Sequence, residues 1–196
     1  MYPTVRAFAV AALLAAVPAS ADDVTDAINA AKEAYDSGNL SEAIQSLDYA
    51  SQLVRQAKSA EVVKLLPDAP SGWEADEAED SSAAAALMGG MVSAQRTYNR
   101  DDGGYVTISI QSDSPMLQSF GMMFTNPMML TASGAKLENY KGQKLAVTYR
   151  GGDKAGDIKT VVDNRYLVSI EGSELSRDEL LTFAKAIDYG KLSALK

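Results

Sequence analysis

From Asp22 to Leu66 apolar residues recur at helical spacing, with no proline and a single glycine, Gly38. Val24, Ile28, Ala31 and Tyr35 fall at i, i+4, i+7 and i+11, which predicts one buried stripe along a first helix. Gly38 can take the left-handed conformation that ends it. Asn39 is placed to cap a second helix, with Glu42 in the capping-box position, and Ala43, Leu47, Ala50 and Val54 continue the buried face. The expectation for residues 22–66 is a helical hairpin. Residues 67–72 concentrate proline, serine and glycine, and beyond them the hydrophobic period changes from 3.6 to 2, so the domain boundary is placed there.

In the second part, residues 73–196, alternation predicts strands. Residues 92–98 and 105–111 flank an Asp101-Asp102-Gly103-Gly104 turn, with Val106, Ile108 and Ile110 on one face. Leu145, Val147 and Tyr149 mark a third strand, followed by a glycine-rich loop at 151–156. Residues 158–162 and 166–170 form a second hairpin around Asp163-Asn164-Arg165. Two helical stretches stand apart from these strands. Ser114-Pro115 opens a methionine-rich helix that Asn126-Pro127 restarts, and Ser176 with Glu179 makes a capping box, with Leu175 and Leu180 as its hydrophobic staple. Hairpin-paired strands with separate helices predict an α+β fold: the helical hairpin, then an antiparallel sheet with helices packed on one face.

The first 21 residues change where this fold is expected to work. Arg6 precedes an apolar run from Ala7 to Val17, Pro18 breaks it, and Ala19-Ser20-Ala21 is a small-residue cleavage pattern, so the chain is expected to be exported to the periplasm and cut after Ala21. The run is about half the roughly 20 residues of a spanning helix, and no later stretch is longer. Cleavage would leave 17 Lys and Arg against 26 Asp and Glu, a net charge of −9, which disfavours nucleic acid. The sequence contains no cysteine and no histidine. Disulfides, Ser-His-Asp and Cys-His catalysis, HExxH sites and the usual zinc cages are thereby excluded.

Ala31, Gly38, Ala43, Leu47 and Ala50 sit at the packing spacings of a tetratricopeptide helix pair, and the hairpin resembles one such repeat. Tyr35 is one place off the usual aromatic position, and Arg55 stands where the repeat's closing proline would be. A lone repeat implies docking on the rest of the chain or on a partner. The second part is loosely similar, in element order, to the PsbP-type fold of exported photosystem subunits, and the whole is similar to small exported proteins of Gram-negative bacteria.

Seven of the eight methionines, Met88, Met91, Met116, Met122, Met123, Met128 and Met129, would remain after cleavage, interleaved with Leu117, Phe120, Phe124 and Leu130. Thioethers suit Cu(I), so copper handling is the alternative reading; an adaptable apolar contact surface is the leading one. Ser133-Gly134-Ala135-Lys136 matches an S-x-x-K string without its companion motifs and reads as a loop-to-strand connection. The acids from Glu74 to Asp80 lack calcium-loop spacing and read as a solvated face. Trp73 is read as a core anchor. Asp113 and Asp188 stand for a third reading, a carboxylate-based enzyme, though no spacing singles out a pair. The sequence therefore predicts a non-enzymatic periplasmic binding or accessory protein without a cofactor. Its partner would be an envelope protein or an apolar small molecule, met through Tyr35, Leu40, Tyr49, Met122, Met123, Met128 and Met129, with the oligomeric state open.

Overall fold

A computed structural model describes residues 21–80, 92–112, 116–132 and 134–195. Residues 1–20 of the expected export leader (1–21), Met88, Met91, Asp113, the Ser114-Pro115 helix opening and Ser133 lie outside the described residues. Among the described residues, no helix is long and apolar enough to cross a membrane.

Two helices come first, α1 (Ala21–Asp36) and α2 (Leu40–Val63). Gly38 joins them at φ 79°, and the Asn39 side chain accepts from the Glu42 backbone N–H, as the capping pattern requires. The seam between them is narrower than the sequence pattern predicts. Ala27, Ala31 and Ala34 face Ala43, Ala50 and Leu53, while Ile28, Tyr35, Leu47 and Val54 remain at least half exposed. Alanine at successive turns brings the two backbones close, and that approach turns the larger neighbours out to the flanks. Only Ala31 of the first predicted stripe, and Ala43 and Ala50 of the second, are buried.

The sheet follows. Its strands are β1 (Glu74–Ala75), β2 (Glu79–Asp80), β3 (Val92–Asn99), β4 (Tyr105–Ser112), β5 (Lys136–Tyr140), β6 (Gln143–Arg150), β7 (Ala155–Val162) and β8 (Tyr166–Ser173). All pairings are antiparallel, in the order β1-β3-β4-β8-β7-β6-β5, with β2 also on β3. Turn chemistry sets the hairpin registers. Asp163 and Asn164 both hold positive φ, as Asp and Asn tolerate, and Lys141-Gly142 does the same between β5 and β6. The β5 strand and the two short acidic strands β1 and β2 are absent from the sequence reading, as is the last helix. All three strands lie at or near a sheet edge, where a polar strand costs little.

One face of the sheet carries Val106, Ile108 and Ile110 of β4, Ile158 and Val162 of β7, Tyr166, Val168 and Ile170 of β8, and Leu145 and Val147 of β6, all buried. This face packs in a single core with Val62 of α2 and Leu66 just beyond it, with α5 (Arg177–Ala186), and with α6 (Tyr189–Ala194). The α5 capping box at Ser176 and Glu179 is present, and Leu175 and Leu180 are both buried beside it. Trp73 anchors the core as expected: its ring meets Phe183 edge-on at 5.1 Å, and Tyr98 lies 5.0 Å from Phe183 on the other side. The α+β class is that of the sequence reading. A second, smaller pair of helices, α3 (Met116–Thr125) and α4 (Pro127–Ala132), lies over the opposite face, which also carries apolar groups, Ala146 and Leu167, that need cover.

Candidate contact surfaces

The hairpin keeps its own small core of Ala27, Ala50 and Leu53, with Val24 packed against it, apart from the main core. Six large apolar side chains flank that seam on the outside: Ile28 and Tyr35 on α1, and Leu40, Ile44, Leu47 and Val54 on α2. Tyr35 is 66% exposed and Ile44 60%. Ile28, Tyr35, Ile44 and Val54 each follow a seam residue by one place, a turn of about 100°, which in an antiparallel pair leads to the same side. Leu40 and Leu47 share the stripe of Ile44 and Val54 at helical spacing. Tyr35 and Leu40, both predicted contact residues, therefore share one face. Tyr49 is also more than half exposed, but it precedes seam residue Ala50 and so lies on the other side of the hairpin.

The methionine-rich helices form a second surface. Phe120 of α3 lines a cleft of about 300 Å³ with Ala135, Ala146, Thr148, Arg150, Asp157 and Lys159, that is, with the second face of β6 and β7. Around it, Met122 and Met129 are at least half exposed, Met128 is 81% exposed, and Leu137 on the adjoining β5 is nearly half exposed. Met123 belongs to α3, and its side chain lies outside the described set. Leu130 by contrast is buried and holds α4 down. Leu137 had no separate signal in the sequence, because its strand does not alternate cleanly.

A larger cleft of about 540 Å³ opens where the β3–β4 turn meets the start of α5. Its charged groups are already engaged. Arg100 donates to Asp102 at 2.7 Å, to Glu179, and to the Glu174 carbonyl at 2.8 Å, while its guanidinium stacks 4.7 Å from the Trp73 ring. The Arg100 hydrogen bond, helped by the Gly104 N–H, holds the Asp102 carboxyl below its usual range. Hydrogen bonds from the Ser176 backbone and hydroxyl do the same for Glu179, with Arg100 adding to them. The Asp102 hydrogen bond chiefly raises Arg100. Asp188, one of the two predicted candidate acids, is lowered by the Lys191 backbone N–H that it caps at the start of α6. These are the signatures of caps and ion pairs that stay ionised. Tyr98 is pushed up to about 12 by burial, its hydroxyl donating to the Pro67 carbonyl at 2.6 Å, and burial also raises Tyr189. Among the described residues, no three Asp, Glu, His or Cys side chains converge as metal ligands.

Compared with family models, with curated proteins and with solved structures, the chain matches none.

Proposed function

We propose that this chain is an exported, non-enzymatic accessory protein of the cell envelope that holds an apolar segment of a protein partner against α3 and α4. The supporting observation is the run of exposed apolar residues on α3, α4 and the adjoining β5: Met128 is 81% exposed, Met122, Met129 and Leu137 are about half exposed, and Phe120 of α3 lines a cleft of about 300 Å³. Exposed apolar groups grouped on one patch favour association, and unbranched thioethers repack around partners of different shape. The cleft is deep enough for one or two partner side chains, while its rim of Arg150, Asp157 and Lys159 supplies polar contacts that orient them. The acids with the clearest shifts, Asp102, Glu179 and Asp188, are held ionised by structural hydrogen bonds, which fits a scaffold better than a proton-transfer site.

Photo-crosslinking from Met128 in intact cells tests this, with Tyr49 on the hairpin as the control position. A discrete adduct from Met128 that is absent from Tyr49, and that disappears when Met122 and Met129 are changed to Gln, is the expected result. The same adducts from both positions would remove the methionine surface as the binding site.

A further inference from the structure

The hairpin face is built for one particular occupant. Ile28, Tyr35, Leu40, Ile44, Leu47 and Val54 together leave on the order of 700 Å² of apolar side chain uncovered, close to the roughly 800 Å² each partner contributes to a standard interface. On α2 this surface is the upper half of a continuous stripe. Leu40, Ile44, Leu47 and Val54 run on through Lys58 to Val62, which is 1% exposed against the main core. The sheet covers the lower half, and no described element covers the upper.

Charge selects what can. The chain is strongly acidic, yet Asp23, Asp26, Glu33 and Glu42 each precede a seam position (Val24, Ala27, Ala34 and Ala43) and therefore lie on the far side of the hairpin. The exposed apolar side carries Lys32, paired with Asp36 of its own helix at 2.5 Å, and Ser51, which accepts from Arg55 at 3.0 Å. Ser51 leaves the Arg55 charge in place, but exposed Asp48, next to Leu47 and one turn from Ile44, carries the opposite charge, so Lys32, Asp36, Asp48 and Arg55 sum to zero and the face presents no net charge to its own copy. It can meet that copy about a twofold axis without like-charge repulsion. Two helices set on two helices complete a four-helix bundle, in which the exposed stripes of both hairpins are enclosed.

We propose that the hairpins of two copies of this chain pack face to face, so that the protein is a homodimer built around a four-helix bundle. Ile44 and Leu47 lie near the centre of the interface and Tyr35 closes it at the Gly38 end. The methionine surface lies on the other side of the sheet from the main helical layer and remains open, so dimerisation and partner binding use different surfaces.

The purified protein, measured by sedimentation equilibrium across micromolar concentrations, is expected to show twice the chain mass. Ile44→Asp with Leu47→Asp places two carboxylates at the centre of the interface and should weaken association on the order of 100-fold or more. Both positions are exposed in the single chain, so the circular dichroism spectrum and melting of the double variant should report an intact fold. The chain has no cysteine. A single Tyr49→Cys spin label, on the hairpin but off this face, therefore reads the other copy alone, and one narrow inter-label distance is expected. A wild-type protein that stays monomeric, a dimer that survives the double substitution, or a broad distance distribution would each overturn the proposal. The adducts from Met128 should persist in the double variant, which separates this result from the fate of the methionine surface.

Discussion

Replacing Gly156 by alanine probes how the helical layer sits on the sheet. Gly156 on β7 pairs with Gly172 on β8, and both lie on the face that carries the core. The pair makes a depression into which Leu180 of α5 and Leu175, just ahead of its cap, settle. A Cβ on Gly156 would fall 2.5 Å from the Thr148 carbonyl oxygen and 3.0 Å from a Leu180 methyl and the Tyr149 ring. The carbonyl belongs to the neighbouring strand and cannot swing aside as a flexible side chain would, so β6 and β7 must separate locally or α5 must lift. Overpacking of this kind costs about 1–3 kcal/mol, and a backbone clash belongs at the upper end. Alanine restricts the unfolded chain, which returns about 0.4–1 kcal/mol, leaving a net loss of about 2 kcal/mol. For a chain of this size that corresponds to a Tm lower by roughly 4–8 °C. Gly152→Ala is the matched control. Nothing lies within 4 Å of its added methyl and its φ is not in the left-handed region, so it should be neutral or slightly stabilising. Thermal melts and urea titrations of the two variants decide the matter. A Gly156→Ala protein as stable as Gly152→Ala would show that neither β6 nor α5 approaches β7 this closely at this point.

Ser176→Ala removes the hydroxyl half of the α5 capping box, leaving the bond from the residue 176 backbone N–H to Glu179, and should cost about 1 kcal/mol in urea unfolding, with Ser176→Thr restoring most of it. The pH profile of stability should be flat near neutrality and fall at both ends. Asp102, Glu179 and Asp188 have folded pKa values below their unfolded ones, so their contribution is present above about pH 4 and lost as pH falls through the folded values. Tyr98 is raised to about 12, so its contribution is present below about pH 10 and lost as pH rises through about 12. Urea midpoints across pH check this: Glu179→Gln should flatten the acid limb and Tyr98→Phe the alkaline limb, and unchanged limbs would contradict the assignment.

Local signals placed most of the elements. The Asn39 and Ser176 caps, the Asp163-Asn164 turn and the alternation of Val106, Ile108 and Ile110 each act through neighbours a few residues away, so the sequence displays them directly. The β5 strand gave no comparable signal. Lys136–Tyr140 is an edge strand whose turn is Lys-Gly rather than Asn-Gly, and its order depends on pairing with β6. The acids from Glu74 to Asp80 do remain mostly solvated, yet part of that run is drawn into short strands by β3, which no local pattern announces.

The contact surfaces divide in the same way. By itself the sequence determined that apolar residues exceed what two short helices can bury, that methionine concentrates in one stretch, and that histidine and cysteine chemistry is absent. Only the tertiary structure decided which apolar residues stay outside. Helical spacing defines a stripe but not which edge of it becomes the seam. The close approach of Ala27, Ala31 and Ala34 to α2 settled that, turning Ile28 and Tyr35 outward. Likewise, the methionine helices lie over the second face of the sheet because Ala146 and Leu167 need cover there. That depends on which strands the chain brings together, a property of the whole fold that no window of sequence contains.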